Sequence, residues 1–190
     1  MEEQAKMVKT VLNHLRLRKY VLVGHSMGGY IALAFAKLFS ENIKGLCLMN
    51  STALPDTEEK KVNRNRGIEA VKQNHKTFVR IAVPMLFSEK NRTIFKNEVD
   101  SVVNEALNLS PQGIIAALEG MKIRKNQTSI YKTATFPIQM FIGKQDPALD
   151  YNSLIEQTKN TSVHVIEYPD GHMSHIENKI HFISDLEQFV

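Results

Sequence analysis

The chain has 190 residues, 43% of them apolar and 23% charged, with a net charge of +4. That length suits one domain with its own core and disfavours two independent ones, and the composition is too apolar for a disordered chain. Lysines and arginines are interleaved with acids, as in Glu58-Glu59-Lys60-Lys61 and Lys96-Asn97-Glu98, and no basic stripe carries stacking aromatics, so no nucleic-acid partner is expected.

In chain order, Val8, Val11, Leu12 and Leu15 fall at helical spacing and predict an amphipathic helix over residues 2–15. Tyr20-Val21-Leu22-Val23 reads as a short buried strand, and the run GYIALAFAKLF from Gly29 as a helix buried beneath a sheet. Gly45-Leu46-Cys47-Leu48-Met49 reads as a second buried strand. Its cysteine is the only one, so no intrachain disulfide forms; a buried, inert thiol and a reducing, cytoplasmic setting are expected. Residues 54–132 change character and predict an all-helical insertion. Asp56, with Glu59 three residues on, reads as a helix start, and Ile94, Phe95, Val99, Val102, Val103 and Leu107 keep helical spacing. Ser110-Pro111 supplies a cap and a first-turn proline to a helix bearing Ile114, Ile115, Leu118 and Met121 on one face. Strands follow at 137–143 and 163–168, with helices at 151–159 and 177–189.

Outside the insertion, strand and helix alternate, which predicts the α/β class: a parallel sheet flanked by helices. No apolar run approaches the roughly 20 residues of a membrane helix, so no membrane partner is expected, and Met1-Glu2-Glu3 begins nothing like a signal peptide.

The segment Gly24-His25-Ser26-Met27-Gly28 joins the first strand to a helix. A serine at such a turn sits in strained backbone with its hydroxyl exposed, and small residues two positions to either side let the chain pass. The following N–H, that of Met27, lies at a helix start, where unpaired amides and the dipole favour a negative oxygen. A serine hydroxyl needs a base to take its proton and a third group to orient that base. Asp146 follows the strand PIQMFIG, and His172 lies in the turn after VHVIEY, so all three candidates stand at carboxyl ends of strands. Asp150 and Asp170 are rival acids, although Asp170 is too close in sequence to His172 to reach its far ring nitrogen easily. His25 is expected to point away from the serine and to be structural, and His175 and His181 to lie on helix faces. His172, His175 and Glu177 lack the HExxH spacing of a zinc helix, so no metal is expected.

These residues resemble the α/β-hydrolase fold family. GHSMGG resembles its nucleophile elbow, FIGKQDP its acid turn, and GHMSHIE its histidine loop with a glutamate opening the last helix. The resemblance implies Ser26 as nucleophile, Asp146 as orienting acid, His172 as base and Met27 N–H as one oxyanion donor. It also implies a core of residues 1–53 and 133–190, and a helical cap at 54–132 with Phe78, Met85, Leu86 and Phe87 as candidate pocket residues. The family places further strands, and a loop with the second oxyanion donor, ahead of the helix that residues 1–15 resemble. Nothing in this sequence corresponds to them, so the chain is expected to be the C-terminal two-thirds of a hydrolase, with the first strand at an exposed edge. The implied activity is cofactor-free hydrolysis of a small carboxylic ester or related acyl compound through an acyl-enzyme. The alternative is a catalytically incompetent fragment or pseudoenzyme with a binding role.

Overall fold

Four strands run parallel in the order β1-β2-β3-β4: β1 (Tyr20–His25), β2 (Ile43–Met49), β3 (Ile138–Gly143) and β4 (His164–Tyr168). The computed structural model describes residues 1–190. Parallel neighbours require a crossover between each pair. From β1 the chain passes through α2 (Met27–Leu38), and from β3 through α8 (Tyr151–Thr158). Between β2 and β3 lie α3 (Glu58–Ala82), α4 (Asn91–Ile94), α5 (Lys96–Ala106), α6 (Pro111–Lys122) and α7 (Ile130–Thr133). Helix α1 (Glu2–His14) precedes the sheet, and α9 (Ser174–Glu177) and α10 (Lys179–Phe189) close the chain.

The central strands read as continuous apolar runs because both faces are covered. Side chains alternate: Leu46, Leu48, Ile138, Met140 and Ile142 join Leu33 and Phe35 of α2 in the larger core, while Cys47, Met49 and Phe141 face Tyr168 and Phe182 of α10. Removing water from a side chain such as fully buried Phe141 contributes about 1.5–3 kcal/mol. The same burial pushes the Cys47 thiol up to about 12, leaving it protonated and inert.

Four expectations change at this level. Helix α1 meets the core through Ala5 and Leu12, whereas Val8, Val11 and Leu15 of the expected apolar stripe are exposed. Strand β1 lies at the expected exposed edge, pairing only with β2, but it is not buried along its length, and Val23 is exposed. Helix α3 is capped by Thr57, whose hydroxyl accepts from Lys60 N–H, and not by Asp56. The final helix divides in two, so Glu177 ends α9 instead of opening α10.

Helix α3 is interrupted at Asn74, where extended backbone (φ −159°, ψ 93°) lets the side chain cap the second segment through Thr77 N–H. Its first segment packs on α6 through Ile68, Val71 and Leu118. No helix is long and apolar enough to cross a membrane.

Candidate active site

Ser26 lies between β1 and α2 at φ 51° and ψ −116°, a conformation that costs a non-glycine residue free energy. Three hydrogen bonds hold it. Its N–H donates to the Met49 carbonyl at 2.9 Å, and its carbonyl accepts from Gly29 N–H at 3.0 Å and from Ser51 Oγ at 2.8 Å. Gly24 has the steric role its position suggests, since a Cβ there would lie 2.5 Å from the Gly28 carbonyl oxygen. Gly28 does not: a Cβ there would meet nothing within 4 Å. The second tight position is Gly29, where a Cβ would lie 2.3 Å from Ser51 Oγ, because this side of α2 faces the loop leaving β2. Met27 opens α2, and its N–H has no backbone acceptor.

The turn after β3 fixes a carboxylate. Asp146 Oδ1 accepts from Ala148 N–H at 2.8 Å and Leu149 N–H at 3.0 Å, while Oδ2 accepts from Asn50 Nδ2 at 3.2 Å and faces His172 Nδ1 at 2.7 Å. Both side chains of this pair are almost wholly buried, at 0% and 2% exposure. An ionised carboxylate only accepts, so Nδ1 carries the proton and Nε2 is left as an acceptor. Nε2 lies 2.8 Å from Ser26 Oγ, so the hydroxyl donates to it. A serine in this state can pass its proton to the imidazole as it attacks an electrophile, and the carboxylate stabilises the resulting imidazolium. The rival acids are committed elsewhere. Asp150 caps α8 by accepting from Ser153 N–H, and Asp170 pairs with Lys90 at 3.2 Å.

From Ser26 and His172 opens a cavity of about 560 Å³, walled mainly by α6 through Ile114, Ala117, Leu118 and Met121. Of the four lining residues anticipated, only Leu86 borders it. Phe87 is buried against Val99 and Met173, Phe78 packs beside Ile68 and Leu118, and Met85 is exposed.

The sequence profile of the alpha/beta hydrolase fold matches residues 1–179. The chain belongs to the alpha/beta hydrolase fold family. A thermophilic esterase from Thermogutta terrifontis, solved with malate bound, is similar at 28% identity and a TM-score of 0.87, over 98% of this chain and 70% of that one. The enol-lactonase from Burkholderia xenovorans LB400 superposes with a TM-score of 0.88 at 19% identity, over 100% of this chain and 72% of that one. An esterase from Exiguobacterium antarcticum does so with a TM-score of 0.86 at 18% identity, over 97% and 71%. No curated protein matches.

In this alpha/beta hydrolase the histidine loop is held from two sides. His172 N–H donates to the Leu86 carbonyl at 3.0 Å. Buried Glu177 accepts through Oε1 from Ser88 N–H, Ser88 Oγ and Asn91 Nδ2, at 2.9–3.0 Å, and through Oε2 from Met173 N–H at 3.1 Å. One carboxylate thus ties the helical segment to the residue after His172. From the other side, His25 Nε2 donates to the His172 carbonyl at 2.9 Å. His25 does not contact the serine, but it is not merely turned away, since its ring packs at 5.1 Å from His172, tilted, and edge-on at 4.9 Å from His175. His175 lies on α9 and His181 on α10.

Burial, then the charge of His172, depresses the His25 pKa to about 4, and burial depresses that of His175 in the same direction. Between about 4 and the ordinary value of 6.5, the unfolded chain binds protons that the folded chain does not. This stability is therefore fully present above pH 6.5 and is lost as the pH falls toward 4, by up to about 3 kcal/mol for His25. Urea midpoints measured across this range are expected to fall with acid in the wild type and less steeply in His25→Asn. Identical slopes would exclude His25 as the cause.

Two contributors were not singled out in the sequence. Asn50, at φ 43°, bridges Asp146 and the Gly171 carbonyl, and Ser51 supports the Ser26 carbonyl. An asparagine just past a buried strand was the available signal, because asparagine tolerates the left-handed region.

Proposed function

We propose that this alpha/beta hydrolase is a serine esterase that cleaves a small carboxylic ester or related acyl compound. The observation that carries the reading is the hydrogen-bonded series Asp146–His172–Ser26, which ends at the mouth of an apolar cavity. The esterases among the structural relatives support an ester as the substrate. Ser26 Oγ attacks the ester carbonyl while His172 Nε2 takes its proton, and Met27 N–H donates to the oxyanion. His172 then returns the proton to the leaving alcohol, giving an acyl-Ser26. Water, deprotonated by His172, attacks the acyl carbon and releases the acid and the free serine.

In this reading residues 54–132 act as a cap on a core of 1–53 and 133–190, and α6 shapes the acyl or alcohol pocket. The lone, buried Cys47 suits a reducing cytoplasm. The test is covalent labelling. A fluorophosphonate is expected to modify the folded chain at Ser26, as located by peptide mass, and not to modify Ser26→Ala. Labelling that persists in Ser26→Ala would sink the nucleophile, and a folded wild type that resists the reagent would favour a binding role alone.

A further inference from the structure

The cavity at Ser26 is apolar on most of its wall, yet two cations border it, Lys60 and Arg64, and no aspartate or glutamate does. They stand four residues apart on α3 and so share a face of the helix. Arg64 is partly committed, since its Nε donates to Asp56 Oδ2 at 2.7 Å and its Nη2 to Asp56 Oδ1 at 3.5 Å. The Lys60 ammonium is half-buried and has neither an ion pair nor a hydrogen bond; the residue's hydrogen bond to Thr57 uses only its backbone N–H. Asp56, the carboxylate paired with Arg64, also accepts from Arg124 Nη1 at 2.6 Å, so it is shared by two guanidinium groups and makes no ion pair with the lysine. Glu59 and Asp150 border a second opening that Lys60 also lines, but Glu59 is exposed and Asp150 caps α8.

A cation held in a low-dielectric wall without a partner is costly, and a ligand anion that enters the wall relieves that cost. Burial, with Arg124 and Arg64 adding to it against the pull of Asp56, already holds the Lys60 pKa below its ordinary value. The positioned polar group of an otherwise apolar pocket is what orients a ligand there. On this basis, and resting on the esterase reading above, we propose that the preferred substrate is an ester that also carries a carboxylate, which pairs with Lys60 and the free face of Arg64 while the ester carbonyl meets Ser26. One wholly free ammonium and one half-committed guanidinium match a single carboxylate better than a phosphate, which calls for several converging donors.

The experiment compares half-esters with neutral esters of the same chain length, following proton release: monoethyl succinate, glutarate and adipate against ethyl butanoate, pentanoate and hexanoate. For at least one length the wild type is expected to favour the half-ester in kcat/KM by about tenfold or more, the scale of a hydrogen bond to a charged group. Lys60→Met should bring that ratio toward one, and Lys60→Arg should keep most of it. Neutral esters turned over with no preference for any half-ester, or a preference that Lys60→Met leaves intact, would overturn the proposal while sparing the esterase reading. If neither ester type is hydrolysed, the esterase reading fails, and calorimetric titration of Ser26→Ala with glutarate still decides the site. Binding weakened about tenfold by adding Lys60→Met would support it, and absent or unaffected binding would overturn it.

Discussion

Asp146→Asn is expected to lower kcat on an ester substrate by up to about 10⁴ without unfolding the protein. The reason lies in how the carboxylate is held. Its Oδ1 accepts from two backbone N–H groups, those of Ala148 and Leu149, so in the variant the amide oxygen must stay there. The amide NH₂ then faces His172 Nδ1 at the position of Oδ2, 2.7 Å away in the wild type. Nδ1 becomes an acceptor, the ring proton moves to Nε2, and Nε2 now donates toward Ser26 Oγ when it should be accepting from it. Asn50 Nδ2, which donates to Oδ2, also loses its acceptor. Asp150→Asn and Asp170→Asn should cost far less, because neither carboxylate contacts His172: Asp150 caps α8, and Asp170 pairs with Lys90. Steady-state kinetics on the three variants, with circular dichroism to check folding, decides the matter. A crippling effect at Asp150 or Asp170, with Asp146→Asn near wild type, would remove Asp146 as the acid and leave Ser26 and His172 standing.

Asp56→Ala should destabilise the fold by about 3–5 kcal/mol, the usual cost of stranding buried charge. Asp56 stands where the chain leaves the sheet for α3, and Arg124 where it returns after α6. Their side chains are 0% and 5% exposed. Arg124 donates to Asp56 Oδ1 at 2.6 Å and through Nε to the Leu54 carbonyl at 3.0 Å, and its guanidinium stacks on Tyr30 at 4.1 Å. The pair therefore fastens both crossings of the helical segment to each other and to α2. Burial pushes the Asp56 carboxyl upward, but hydrogen bonds and charge from Arg64 and Arg124 outweigh it and hold the pKa below its ordinary value. That stability is present above the unfolded-state pKa and is lost as acid protonates the folded carboxyl. Urea denaturation at pH 7 measures the loss, and a change under about 1 kcal/mol would show that the network is worth no more than a surface ion pair.

The architecture and the hydrogen-bonded line Asp146–His172–Ser26 were legible in the sequence because they rest on local signals. Strand-helix alternation, the glycine-flanked serine and an acid and a histidine each just past a strand pattern are all short-range patterns. Side-chain periodicity, turn chemistry and the carboxyl ends of parallel strands translate such patterns directly into position. The steric division within the elbow was not legible. Gly28 and Gly29 are adjacent and look alike, and only the packing of α2 against the β2 loop makes Gly29 the crowded one.

What the sequence determined by itself was therefore the class of fold, the order of its elements and which serine, acid and histidine come together at the carboxyl ends of the strands. What tertiary structure decided was every partnership made between distant segments. Glu177, 89 residues from Ser88 in sequence, anchors the helical segment beside His172. Asp56 is drawn from the expected cap position into a buried pair with Arg124 and Arg64, and Lys60 is left as the unpaired cation in the cavity wall. Even the expected apolar stripe of α1 is partly exposed, while Phe87, anticipated in the pocket, lies buried against Val99 and Met173. The physical reason is common to all of these. Burial and charge pairing belong to the surroundings a side chain reaches, and those surroundings are set by three-dimensional packing that no local pattern encodes.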